Sequence, residues 1–389
     1  MQGKHILYLA GWWPDTDSLA GVFIREQALA ISPGHTLDVV HLCVERCLAW
    51  PRVSVQLERD GAMRVYRVTV RTPVRRAGLF ERTVRWAYER LILRLIEEHG
   101  PFDLVHIQVR TEVTEQALRV NSLRSIPVVI TEHNSHYHQG IARMPEPART
   151  RERERIRDWF SDARIKTVMP VSKDLAQVLI RDFGVKKEII RVIPNIAAAV
   201  FQPGDPLAAP PFRILLAALW RPPKDPDVFM DAIQLLPAGV RASLRVDWAG
   251  AGPDGERIQQ RWATELKDTQ AHFHGNLRKK ELATLMQKAH LFVLPTRADN
   301  LPCVVLESLC CGTPVLSMAV NGVPELIDQS NGILVPPADP LALANAIQKF
   351  VAGAALFDRA SIARHAIALY SAGSVSAQIE AVYLRATRV

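Results

Sequence analysis

LPTRADNLPCVVLESLCCGTPVLS, residues 294–317, decides the fold. It reads as the end of a strand, a loop, a helix that Pro302 opens and Gly312 ends, and a second strand. The same alternation extends to both termini. Strands are expected at 5–10, 35–42, 102–107, 126–131, 167–171, 212–219, 244–250, 290–295, 313–318 and 332–336. Several are near-continuous apolar runs, as strands buried on both faces of a parallel sheet must be. Helical stretches lie between them, at 78–98, 172–183, 226–236, 278–288 and 340–352. Alternating strands and helices make a doubly wound α/β fold. So many strands exceed one ordinary sheet, and the Pro- and Ala-rich stretch 194–211 supplies a break. The expectation is two facing Rossmann-like domains with a cleft between them. One covers 1–200 and regains a crossover helix from 373–389; the other covers 201–372. Ligands of such sheets bind at the carboxyl ends of the strands.

Composition narrows the class. The chain has 389 residues, 48% hydrophobic and 23% charged, which excludes disorder, collagen-like sequence and a coiled-coil rod. No apolar run is long enough to span a membrane. The N-terminal MQGKHILYLAGWWPD has no small-residue cleavage site, so it reads as a first strand and not a signal peptide. Five cysteines, an odd and small number, point to a reducing compartment. The net charge of +8 is uneven: residues 1–200 hold 30 Lys+Arg against 23 Asp+Glu, and 201–389 hold 18 against 17. Arg64, Arg67, Arg71, Arg75, Arg76, Arg82, Arg85, Arg90 and Arg94 crowd one segment that has only Glu81 and Glu89 as acids. A basic patch of this kind implies an anionic partner. No RNA- or DNA-binding module pattern is present, so nucleic acid is not expected.

Within 294–317, Asp299 sits in the loop and Glu307 eight residues on, inside the helix. The free N–H groups at the helix start offer an anion site. Two carboxylates flanking that site suit two hydroxyl-bearing groups with a phosphate between them. A capped helix with a surface acid gives the same pattern, and the segment alone leaves both readings open.

The wider sequence resembles the family 4 retaining glycosyltransferases. Their signature has two acids separated by seven residues, matched here by Asp299 and Glu307, with Asp-Asn-Leu-Pro at 299–302 in place of a Glu- and Gly-rich run. GWWPDTDSLAGVFIREQALAI, with Gly21 opening a helix, resembles the donor-phosphate and acceptor loop. VMPVSKDLAQVLI at 168–180, VIPN at 192–195, FRILLAALWRPPKDPDVFMDAI at 212–233, HFHGNLRKKELATLMQKAHLFVLPTRAD and PPADPLALANAI match further motifs in order. The resemblance implies the GT-B fold and a role for each matching residue. Asp299, helped by the backbone at Asn300 and Leu301, contacts donor-sugar hydroxyls, and Glu307 holds the ribose. Lys224 neutralises the diphosphate, the backbone N–H groups of Cys303 and Val304 face the phosphate, and the nucleobase lies near His274, Gly275 and Leu277. His133 falls where the family has an active-site histidine. The position of a family arginine is Leu219, for which Arg221 is the neighbouring substitute. Ala198 stands near an aspartate of the usual pattern, so PNIAAAVF, 194–201, receives no role.

Other clusters leave alternatives. His133, His136 and His138 could ligate zinc or line an acceptor loop. Cys43 and Cys47 read as a reduced, at least partly buried pair, or as a metal or redox site. Trp12 and Trp13 could line an acceptor pocket by stacking on a sugar, or close the cleft. Leu79, Val84, Tyr88, Leu91 and Leu95 form a helical stripe that faces either the core or an anionic bilayer, with the arginines exposed in both cases.

The expected function is a hexosyl-type retaining glycosyltransferase. It uses a nucleotide-diphosphate sugar as co-substrate, needs no cofactor or metal, and has a glycan or lipid-linked acceptor in cell-surface glycan synthesis. The expected location is cytoplasmic, peripheral on the inner face of the membrane. No carboxylate reads as a covalent nucleophile. The rivals are a nucleotide-sugar epimerase of the same layout and a catalytically weak nucleotide-sugar-binding relative.

Overall fold

A computed structural model of the chain describes residues 3–14, 21–46, 52–72, 78–353 and 355–388. Cys47, Arg75, Arg76 and part of the 11–31 loop motif lie outside the described residues. The chain divides into two compact units, residues 1–194 with 375–389, and residues 195–374. The break falls at Pro194/Asn195, short of the expected 200. The reason is local: Asn195 Nδ2 donates to Leu301 O at 2.9 Å, and Ala197 N donates to Tyr370 O at 2.9 Å. These bonds tie 195–200 to the second unit.

The first unit holds seven strands: β1 (His5–Ala10), β2 (Thr36–Arg46), β3 (Arg52–Asp60), β4 (Met63–Thr72), β5 (Leu104–Gln108), β6 (Val128–Glu132) and β7 (Ile165–Pro170). Their order is β3-β4-β2-β1-β5-β6-β7, parallel throughout except for the β3–β4 pair. LVHIQ of β5 and VVITE of β6 are buried along their whole length, as their lack of alternation requires. β3 and β4 were not expected. RVSVQLERD and MRVYRVTVRT alternate apolar and charged residues around the turn at Gly61, whose φ is +61°. Read as a run of charge, they hide a hairpin.

That hairpin corrects the basic segment too, whose arginines are not uniformly exposed. Arg64 is half-buried and bonds fully buried Asp38, with one contact at 3.0 Å. Arg67 pairs with Glu58 at 3.0 Å, Arg71 with Glu45 at 2.8 Å and Arg94 with Glu98 at 2.7 Å. Neighbouring strands supply acids that a count along the chain does not see. The helix Leu79–His99 buries Val84, Tyr88, Leu91 and Leu95, so the stripe faces the core. Its outer face carries Arg82, Trp86, Arg90 and Leu93. The helix Ala372–Ala386 buries Val375, Ile379, Val382 and Tyr383; Tyr383 meets His106 of β5.

The second unit holds β8 (Phe212–Ala217), β9 (Leu244–Ala249), β10 (Gln270–Gly275), β11 (Leu291–Leu294), β12 (Val315–Met318) and β13 (Gly332–Val335). The order is β10-β9-β8-β11-β12-β13, all parallel. Trp248, Phe229, Trp262 and Ile347 anchor its core. β10 was expected only as part of a motif, because QAHFHG is a largely exposed edge strand without an apolar run. Gly250 and Gly252 follow β9 with φ of +97° and +158°. A Cβ there would stand 1.9 Å from Ala218 O and 2.3 Å from Trp220 O. Glycine alone allows this loop to press against the loop after β8.

Candidate active site

The loop after β8 and the loop after β11 are joined by backbone. Asp225 N donates to Pro295 O at 3.1 Å and Arg297 N donates to Pro223 O at 3.0 Å. Lys224 and Thr296 form an antiparallel bridge. This seam brings together two residues 75 positions apart: Lys224 Nζ lies 2.5 Å from Asp299 Oδ2. Both side chains are about four-fifths buried, at 16% and 21% exposure.

The helix Cys303–Cys310 starts immediately beyond, with Pro302 at its N-cap. Its first intrahelical donor is Val305 N, bonded to Pro302 O at 3.0 Å, which leaves the amides of Cys303 and Val304 at the open first turn. Glu307 is one turn on and 7% exposed. Burial, Glu307 and Asp299 together push the Cys303 thiol well above its ordinary pKa, so all three groups share one neighbourhood. The helix stops at Gly312, φ +74°, where a Cβ would meet Arg359 O at 2.6 Å.

Other expected site residues fall differently. Asn300 and Leu301 are buried, and the Leu301 carbonyl accepts from Asn195. Sequence reading gave Asn195 no role; its position in VIPN was the available signal. The His274 imidazole is 2.9 Å from Asp247, whose other partner is Arg245 at 3.2 Å. At the strand end Gly275 O accepts from Gly250 N at 2.7 Å, and Leu277 follows. Leu219 is 44% exposed at the place of the family arginine. Arg221 is exposed, and among the described residues its side chain makes no hydrogen bond or ion pair. Arg297, unremarked in the sequence, bonds Asp225 at 2.5 Å in the same seam.

In the first unit, the carboxyl ends of β1, β5 and β6 carry a second group. Gly21 has φ +80°, and a Cβ there would lie 2.7 Å from the Trp12–Trp13 backbone, so no other residue fits without strain. Trp13 is 5% exposed and closes the interior. Trp12 is half-buried with its ring edge-on to Phe23 at 6.1 Å, and Phe23 lies 4.6 Å from the His133 ring. His133 Nε2 is 3.2 Å from Gln108 Oε1.

The residue sequence reading missed is Glu132, fully buried at the end of β6. Its carboxylate accepts from His133 N, Asn134 N, Arg110 N and Tyr137 OH, at 2.8–3.0 Å. Burial raises its pKa; these bonds act against that shift. Glu132 thereby fixes the loop after β6. The three nearby histidines diverge: His133 turns to Gln108, His136 to Glu152 and His138 to Asp174. Among the described residues no group of three His, Cys, Asp or Glu could hold a metal ion.

The cysteines separate by environment. Cys43 is exposed, which corrects the expectation of burial, and its sulfur is 3.0 Å from His41 Nε2. Burial pushes the thiols of Cys310 and Cys311 up to about 12. Iodoacetamide at neutral pH should therefore label Cys43 well before Cys303, Cys310 or Cys311. Peptide mass spectrometry checks this, and early labelling of Cys310 or Cys311 in folded protein would refute it.

Two family models match the chain: "Glycosyltransferase Family 4" over residues 27–197, and "Glycosyl transferases group 1" over residues 211–352. The D-inositol 3-phosphate glycosyltransferase of Mycolicibacterium paratuberculosis is 30% identical over 328 residues, covering 78% of this chain and 71% of that one. The chain belongs to the family 4 glycosyltransferases. The like-named protein of Streptomyces bingchenggensis is 28% identical over 56% of this chain, and the match spans only 52% of that protein. The solved sucrose-phosphate synthase of Thermosynechococcus elongatus shares the fold with a TM-score of 0.73 at 19% identity, over 98% of this chain and 99% of that one. Anabaena HepE in complex with UDP gives 0.71 at 16% identity, over 98% and 100%. The family's GT-B fold is thus the fold of this chain, a parallel α/β sheet in each unit.

Proposed function

We propose that this chain moves a hexosyl group from a nucleotide-diphosphate sugar to a hydroxyl acceptor with retention of anomeric configuration. One observation carries the reading: an ammonium, two carboxylates and the open amides of a helix N-terminus meet at the carboxyl end of one parallel sheet. The leaving group of such a donor is a diphosphate, and the barrier falls when its developing charge meets preorganised positive groups. Lys224 and the amides of Cys303 and Val304 supply them, with Arg221 the nearby added cation. Asp299 orients the sugar, Glu307 the ribose, and His133 serves the acceptor side. Charge is handled by these groups, so the reaction needs no metal. The nucleotide departs from the face that the acceptor enters, through a short-lived oxocarbenium-like sugar.

UDP is the first donor nucleotide to try, because HepE was solved with it. Two acceptors merit comparison. Relatives are named for D-inositol 3-phosphate, and a phosphorylated cyclitol suits a basic first unit. A lipid-linked glycan intermediate suits the outer face of Leu79–His99. There Trp86, between Arg82 and Arg90, is 51% exposed and Leu93, beyond Arg90, is 46% exposed, and the Arg90 guanidinium lies 5.4 Å over the Trp86 ring. Each basic residue near an anionic bilayer adds about 1 kcal/mol of attraction. Among the described residues no helix is long and apolar enough to cross a membrane, so any attachment is read as peripheral.

A screen of UDP-, GDP- and ADP-sugars against both acceptor classes, followed by 31P NMR, tests the function. Donor consumed with no acceptor and no nucleotide released would favour the epimerase. The membrane claim has its own test, co-sedimentation with phosphatidylglycerol vesicles. Binding should appear at low ionic strength, fall in high salt, and weaken in the Trp86→Ala and Arg90→Glu variants. No binding at low salt rejects it and leaves the soluble phosphorylated acceptor.

A further inference from the structure

Beneath His133 lies a polar network inside the first unit: Tyr8, Gln27, His106, Gln108, Thr131 and Tyr383, each no more than 5% exposed. Buried polar groups must be paired, so the direction of each bond constrains the next. The direction starts at a backbone carbonyl. Ile24 O can only accept, so the Tyr8 hydroxyl donates to it, at 3.2 Å. The remaining direction comes from the Gln108 amide, whose nitrogen can only donate. The same nitrogen, Gln108 Nε2, bonds Gln27 Oε1 and lies 3.1 Å from His106 Nε2.

His106 agrees with this orientation. It is fully buried, and burial lowers its pKa to about 3, so its imidazole is neutral. Its Nε2 faces the Gln108 amide nitrogen, which can only donate, so Nε2 accepts and the ring proton sits on Nδ1, donated to Tyr383 OH at 2.6 Å. A flipped Gln108 amide would set its oxygen against Gln27 Oε1 and the His106 lone pair. The carbonyl Oε1 must therefore face His133, at 3.2 Å.

We propose that Gln108 is a positioning residue for His133: its carbonyl makes Nε2 the protonated nitrogen of the neutral His133 ring and leaves Nδ1 as the acceptor. A carbonyl cannot donate, so the hydrogen on this bond must come from the imidazole. Phe23, 4.6 Å away, and the Glu132 carboxylate on the His133 amide hold the ring in place around that bond. Glu132 and His106 are titratable groups against His133. The crossover helix enters the same network through Tyr383. The inference rests on the reading that His133 acts in transfer, and deepens it.

The test uses full-length protein labelled with 15N-histidine, and long-range 1H–15N correlation spectra. The His133 signals are assigned by their loss in His133→Gln. In the unmodified protein, Nε2 should read as protonated and Nδ1 as bare; a ring protonated on Nδ1 overturns the proposal without any variant of Gln108. Gln108→Met keeps the volume and removes both polar ends. It should give a mixed ring and lower kcat by about 10- to 100-fold, as expected for outer partners that orient an imidazole, with donor KM unchanged. A ring that stays protonated on Nε2, or a mixed ring with unchanged kcat, overturns it. A merely structural role would lower Tm without moving the tautomer. Failure of the unmodified protein to bind any nucleotide sugar would instead overturn the donor-site reading and leave the tautomer result standing.

Discussion

Lys224→Ala is expected to lower kcat/KM by about 2–4 kcal/mol, roughly 30- to 900-fold, the size of a single charge-stabilising group in an active site. The lysine is held where it can act. Its backbone is bridged to Thr296 and its ammonium lies 2.5 Å from Asp299, beside the open turn of Cys303–Cys310. It therefore enters the reaction preorganised and has little side-chain freedom left to lose. Most of the deficit should appear in kcat, because charge on the departing diphosphate is greatest in the transition state. Arg221→Ala separates a substitute for the arginine missing at Leu219 from a surface residue. A silent Arg221 variant removes that assignment and leaves the lysine untouched. Steady-state kinetics with the true donor decides both.

Asp299→Asn should act in two opposite directions. The carboxylate proposed to serve the sugar also lies 2.5 Å from the Lys224 ammonium. The diphosphate and Asp299 therefore compete for one ammonium. Without the carboxylate charge, UDP should bind about two- to fivefold tighter, a gain of about 0.5–1 kcal/mol for a partly exposed ion pair. Turnover should nevertheless fall by about 1.5–3 kcal/mol, because a charge-assisted bond to a sugar hydroxyl is lost. Calorimetry with UDP, beside kinetics on the same variant, checks both signs. Weaker UDP binding by Asp299→Asn would contradict the competition. Glu307→Ala differs: it should weaken nucleotide binding, because the variant removes the 7%-exposed carboxylate proposed to hold the ribose. Two variants of the signature that gave the same phenotype would argue against separate roles for its acids.

What was legible in the sequence follows from what local pattern can encode. β5, β6, β8 and β11 announce themselves because both their faces are buried and they lack polar alternation. The helix from Cys303 to Cys310 is marked at both ends, by Pro302 and Gly312. The β3–β4 hairpin was obscured because its alternating residues are arginines whose acids, Asp38, Glu45 and Glu58, come mostly from elsewhere in the chain. Pairing of that kind is a property of register and is invisible in a charge count. The site behaves similarly. Glu307 and the helix start can be read from one segment, but the bond from Lys224 to Asp299 depends on two loops meeting at Pro223, Asp225, Pro295 and Arg297. Glu132 and Gln108 gave no signal at all. They look like ordinary polar ends of strands, and their meaning lies in the carbonyls, amides and rings they face. His274 shows the converse: a motif residue whose side chain is engaged by the neighbouring strand, at Asp247.

The central claim is that Lys224, Asp299, Glu307 and the Cys303–Cys310 helix turn form a retaining donor site. Its most direct test is time-resolved 1H NMR of donor turnover with no acceptor added, where water takes the sugar slowly. With the right α-linked nucleotide-diphosphate sugar, the protein should release the nucleoside diphosphate and, before mutarotation, the α anomer; Lys224→Ala should all but abolish the signal. First release of the β anomer, or turnover that survives Lys224→Ala intact, would contradict the account.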